Sequence, residues 1–196
     1  MNYFTKVIKL DSNIAKSKNK ALKEGLISNK DYIFLVEDNC IVLDDSIYKK
    51  FVDVSQKTGI EVLTWAEGGT NRKLPFDEDP YINYYTDFPT AFVMYTRNAI
   101  EKVGLLDENM PPNTWQELEH SKRIGDQDMS TPFGMFASPK NITELKLTFS
   151  KNEFTNLKQM EEALKYWENK DMEDFPIDIK EKPTIKAKTL PITEMI

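Results

Sequence analysis

The chain contains one cysteine and one histidine among its 196 residues. A lone Cys40 excludes an internal disulfide framework and a cysteine-rich zinc site, and a lone His120 excludes a metal centre built from several histidines. Arginine is almost as scarce, with Arg72, Arg97 and Arg123 set against 23 lysines. No apolar run approaches the roughly 18 residues that a membrane-spanning helix needs. The opening stretch MNYFTKVIKLDSN lacks the apolar core and small-residue cleavage site of a secretory signal, so a cytoplasmic location is expected.

What is present describes an ordinary acidic globular chain. Hydrophobic residues make up 40% and charged residues 30%, near globular averages, which excludes wholesale disorder and collagen-like repetition. The net charge of −6 argues against a nucleic-acid coat protein, because phosphate binding needs a concentrated basic surface. The length suits one domain with a real core. Loss of periodicity after Lys170, with three prolines, predicts a domain over 1–170 and an extended or poorly ordered tail over 171–196.

Periodicity predicts an α/β fold. Residues 12–28 keep helical spacing through Ile14, Lys18 (by its stem), Ala21, Leu22 and Gly25, with Asp11 or Ser12 as cap. Residues 31–37 (DYIFLVE) read as a strand buried on both faces. A helix follows from Asp44-Asp45-Ser46 to Gly59, with Ile47, Phe51 and Val54 on one face, and then a strand over 60–66. Strand, helix and strand with short links make a βαβ unit, which predicts a compact, Rossmann-like mixed sheet flanked by helices. Residues 67–88 read as a surface excursion, 89–96 as a strand, and 97–103 as a short helix ending at Gly104. Further helices are predicted from Thr114 to about Ile124 and over 153–169, with a strand over 145–149 between them.

Glu37-Asp38-Asn39 closes the first apolar strand, and ligands of open α/β sheets bind outside the carboxyl ends of strands. Two carboxylates and an amide offer hard oxygen ligands to Mg²⁺ or Mn²⁺, an ion able to hold a diphosphate. The plain alternative is a pair of polar residues entering a turn. On the next helix, Thr114-x-x-Glu117 has capping-box spacing, whereas a carboxylate there can also serve as a general base. Glu117 and Glu119, two positions apart on a helix, point about 200° apart and cannot face one substrate together.

Two stretches resemble nucleotide-sugar glycosyltransferases of the GT-A type, in particular the inverting family 2. The first is NIAKSKNKALKEGLISNKDYIFLVEDNCIV, Asn13 to Val42. The second is AFVMYTRNAIEKVGLLDENMPPNTWQELEHSKRI, Ala91 to Ile124, where a strand, an Arg-led helix, a Val-Gly-any-Leu-Asp-Glu motif and an acidic helix ending in Arg-Ile keep family order. The resemblance implies a GT-A-like fold, shortened at its N-terminus, that moves a sugar from a nucleotide-diphosphate donor to a glycan or other hydroxyl acceptor with inversion. It implies Glu117, with Glu119 second, as the catalytic base. Asn19, Glu37, Asp38, Arg97 and Arg123 then contact the donor, and Asp38 and Asn39 hold the metal (Mn²⁺ or Mg²⁺). Asn39 stands where the family usually carries aspartate. The short N-terminus implies a pared-down donor site, or one completed by a homo-oligomer or second chain. A non-catalytic binding or assembly module on a degenerate GT-A-like scaffold is the alternative, and a metal-dependent phosphohydrolase a third.

The remaining candidates carry plain readings. Trp65, Trp115, Tyr81, Tyr84 and Tyr85 suit core packing as well as sugar stacking, and His120 a packing role. Gly68-Gly69 with Arg72 and Lys73 form a loop able to close over a diphosphate, but they match neither a P-loop nor a dinucleotide fingerprint. Cys40 reads as a small buried residue.

Overall fold

The computed structural model describes residues 13–65, 73–74, 79–85, 90–111, 116–131, 136–148, 162 and 165–166. In chain order these form α1 (Ile14–Ile27), β1 (Tyr32–Val36), β2 (Cys40–Val42), α2 (Ser46–Thr58), β3 (Val62–Thr64), β4 (Ile82–Tyr85), β5 (Phe92–Thr96), α3 (Arg97–Val103), α4 (Gln116–Gly125), β6 (Phe136–Pro139) and β7 (Leu145–Leu147). Among the described residues, no helix is long and apolar enough to cross a membrane.

Local chemistry explains most of the element ends. Asn13 caps α1 by accepting the Lys16 amide through its side chain, one or two residues beyond the expected cap. Thr96 caps α3 in the same way through the Ala99 amide. α2 ends at Gly59, whose left-handed φ of 75° lets its amide return to the Ser55 carbonyl. Asp45 stands at the N-cap of α2 but makes no side-chain capping bond; Asp44 accepts the Ser46 amide instead.

The central sheet has the order β1-β5-β3, and both outer strands pair antiparallel with β5. β1 and β3 therefore run the same way, as a strand–helix–strand unit requires, but β5 lies between them. Two smaller antiparallel pairs, β2-β7 and β4-β6, complete the described sheets. The protein is α/β in general, but its described strands pair antiparallel and form no Rossmann-like sheet. A βαβ pattern sets strand direction, and it leaves open which later strand inserts between the two. β2, β4 and β6 were not anticipated, since they are three or four residues long and carry too few positions to show a period.

Side-chain alternation sends β5 into two cores. Phe92 and Met94 join Ile47, Phe51 and Val54 of α2 on one face. Val93 and Tyr95 meet Leu22 of α1, Ile100 of α3 and Ile124 of α4 on the other. Phe34, Phe51 and Phe92 form an edge-on aromatic group whose Phe51–Phe92 centroids lie 5.0 Å apart. β1 is less buried than expected: Ile33 and Leu35 face the second core, while Val36 is exposed at the strand end. The 171–196 tail and most of the helix expected over 153–169 lie outside the described residues. Glu162, Lys165 and Tyr166 are helical, and the Tyr166 hydroxyl donates to Asp107 Oδ2 at 2.8 Å.

Gly25 shows where packing overrules propensity. A Cβ there would come within 2.7 Å of Ile33 Cγ1 and 2.8 Å of its Cδ1, both on a stiff β-branched side chain in the core. Helix propensity alone predicts that Gly25→Ala gains about 1 kcal/mol. Overpacking against β1 reverses the sign, and the variant is expected to lose about 1–2 kcal/mol in a urea unfolding titration.

Candidate functional site

The first turns of α1, the end of β1 and the start of α4 converge on one ammonium. Lys18 points inward from the buried stripe of α1, and its side chain is 9% exposed. Its Nζ donates to Glu37 Oε1 at 3.0 Å and to Glu117 Oε1 at 2.6 Å. Burial penalises the charged amine, but the two carboxylates outweigh it and hold its pKa above the ordinary lysine value. Glu37 follows the last residue of β1, and its amide still donates to the Ala91 carbonyl, which fixes the side chain at the strand end. Glu117 lies in the first turn of α4, near the helix end that favours a negative charge. Thr114, the partner in the capping-box reading, lies outside the described residues.

Lys18 is the site residue that sequence reasoning missed. The signal was available: a lysine between Ile14 and Leu22 on an apolar stripe cannot bury its ammonium without acidic partners. Nothing local names those partners, because one lies beyond a strand and the other near the middle of the chain.

Glu119 takes the opposite side of α4. Arg123 grips it with both forks, Nε to Oε1 at 2.8 Å and Nη2 to Oε2 at 3.0 Å, while its Nη1 and Nη2 donate to the Val103 and Leu105 carbonyls. Both side chains are buried, at 7% and 2% exposure. Glu119 and Arg123, expected as second base and donor contact, thus tie α4 to the turn after α3. His120 lies beside them, fully buried, with Nε2 2.9 Å from the Gly104 carbonyl and its ring 5.5 Å from Tyr95. A carbonyl only accepts, so Nε2 carries the proton, and Nδ1 is buried without a partner. Gly104 reaches that position at φ 80° and ψ −160°, a conformation open to glycine.

The other expected donor contacts are also framework. Asn19 pairs with the Leu106 backbone in both directions, Nδ2 to O and N to Oδ1 each at 2.9 Å, and donates to Glu108. Arg97 donates to the Lys30 carbonyl at 3.1 Å, to Glu101 at 2.7 Å and to the Leu26 carbonyl, closing the end of α1 onto α3. The polar atoms of both residues are thus taken up by the protein's own backbone and by Glu108 and Glu101.

The donor set does not fit a resident divalent ion. Asp38 is exposed in the turn where the Cys40 amide returns to the Glu37 carbonyl. Asn39 Oδ1 is buried and has no hydrogen-bond partner among the described residues, yet it is a single neutral oxygen. Among the described residues, no three His, Cys, Asp or Glu side chains gather as a metal site. Glu37 and Glu117 already share an ammonium. An ion bound by the same carboxylates would lie within about 4 Å of it, where even unit charges repel by about 4 kcal/mol at a surface-like dielectric.

Among the remaining candidates, Trp65, Tyr85 and Cys40 are buried. Tyr81 is exposed beneath the Lys57 ammonium, 4.8 Å from its ring centre. Lys73 bridges to Tyr85 at a strand edge, while Trp115, Gly68, Gly69 and Arg72 lie outside the described residues. No protein-family model matches the chain, and no curated protein matches it either.

Two stability predictions come from α4. Arg123→Met removes both guanidinium bonds from the buried Glu119 and is expected to cost about 3–5 kcal/mol in urea unfolding. Adding Glu119→Gln recovers part of that loss, a coupling that a double-mutant cycle measures. Burial first, and then the Arg123 charge, push the His120 pKa down to about 3. Between there and about 6.5 the unfolded chain takes up a proton that the folded chain refuses. The His120 contribution is therefore complete above about pH 6.5 and falls by about 1.4 kcal/mol per unit as the pH drops. His120→Gln keeps the donor to Gly104, and its stability is expected to fall less steeply with acid than that of the wild type.

Proposed function

We propose that the protein is a GT-A-like glycosyltransferase that moves a sugar from a nucleotide-diphosphate donor to a hydroxyl acceptor with inversion. The observation that carries this reading is the meeting of Glu37 and Glu117 on the Lys18 ammonium. Those are the two positions that the family resemblance assigns to the diphosphate site and to the base. Their convergence at a strand end is the arrangement such chemistry asks for. The order of β5, an Arg-led α3 and an acidic α4 ending in Arg123-Ile124 adds support.

The acceptor oxygen attacks the anomeric carbon in line. The bond to the diphosphate oxygen breaks and its electron pair leaves with the nucleoside diphosphate. Glu117 takes the acceptor proton as the new bond forms. Lys18 holds Oε1 of Glu117 and so sets the rotamer, while Oε2 receives the proton. No step is routed through a metal ion. Donor and acceptor belong to this reading as partners, in the cytoplasm.

One observation favours the second reading, a non-catalytic binding or assembly module. Asn19, Arg97 and Arg123, the expected donor contacts, all serve the protein's own framework. Calorimetric titration with UDP-, GDP- and dTDP-sugars separates the two. Binding of one of them is the expected result, and absence of heat with all of them decides for the module. With the donor identified, Glu117→Gln is expected to keep donor affinity while lowering turnover by about 10²–10⁴-fold. Full turnover in that variant removes Glu117 as the base.

A further inference from the structure

Resting on the donor-site reading above, we infer that Lys18 is the site's built-in cation, and that it lets the site bind a diphosphate without a divalent metal ion. An ammonium carries three N–H donors. Two of them are directed at Glu37 and Glu117, at 3.0 and 2.6 Å, and the third is the one proposed to meet an oxygen of the diphosphate. Lys18 cancels the charge of one of the two carboxylates, Glu37. Glu117 keeps its negative charge and so remains able to accept a proton.

The position is held from several sides. Lys18 enters from α1, whose neighbouring Asn19 is locked to the Leu106 backbone and whose C-terminal end is locked by Arg97. Glu37 is anchored by the β1–β5 ladder and Glu117 by α4, which Arg123 ties to the turn after α3. The ammonium is therefore preorganised between the carboxylates, and a diphosphate meets a cation that has already lost most of its water. A divalent ion would have to evict that ammonium or bind beside it, and the exposed Asp38 and the neutral amide of Asn39 give little compensation.

The test is calorimetric titration of the whole chain with UDP, GDP and dTDP, once with EDTA and once with Mn²⁺. The expected result is binding of at least one diphosphate, with affinities in the two buffers agreeing within about threefold. A gain of tenfold or more from Mn²⁺ overturns Lys18 as the substitute cation while leaving the donor-site reading in place. Absence of binding in both buffers overturns both. Lys18→Met is expected to lose at least tenfold in EDTA and Lys18→Arg to keep most of the affinity. Wild-type affinity in Lys18→Met, with circular dichroism showing it folded, also overturns the inference. Should Lys18→Met fail to fold, the comparison of the two buffers on the wild-type chain still decides.

Discussion

A buried ammonium needs anionic partners, and in this protein that requirement ties the consecutive elements α1 and β1 to the distant α4. Lys18 leaves the apolar face of α1 and finds Glu37 at the end of β1 and Glu117 at the start of α4. Removing either carboxylate would leave the ammonium with a single partner, and removing the lysine would leave a buried acid and a partly exposed one facing each other. Such a triad adds little net stability compared with apolar packing, but it is costly to break. It therefore constrains how α1, the central sheet and α4 can be assembled, and the candidate chemistry grows out of that constraint.

The second buried ion pair has a different purpose. Arg123 uses its planar fork on Glu119 and its remaining donors on the carbonyls that follow α3. With His120 held by the Gly104 carbonyl, it closes α4 over the Tyr95 face of the sheet. Two glutamates two positions apart on one helix thus have separate fates. Helical geometry turns one toward Lys18 and the other toward the turn, so a single amphipathic segment supplies both a candidate reactive group and its own anchor.

Much of the element order was legible in the sequence. Gly104 after Val103, Gly59 after Thr58 and the apolar spacing of Ile47, Phe51 and Val54 are local signals, and the chain obeys them. β2, β4 and β6 were not legible: β2 follows a turn, β4 falls in the stretch read as a surface excursion, and the antiparallel pairing of β4 with β6 is a long-range contact. The antiparallel character of the central sheet was hidden for a related reason. It depends on β5 lying between β1 and β3, a long-range choice that neither flanking strand encodes.

The site divides in the same way. Sequence by itself determined the chemistry available: a short run of acids and amide at a strand end, an acidic first turn on α4, and too few cysteines and histidines for metal chemistry of that kind. Only the tertiary structure decided which carboxylate faces which cation. Glu117 meets Lys18 while Glu119 meets Arg123, and Asn19 and Arg97 turn their polar atoms to backbone carbonyls. The physical reason is that composition and period specify which groups must be buried, but a buried charge finds its partner through packing.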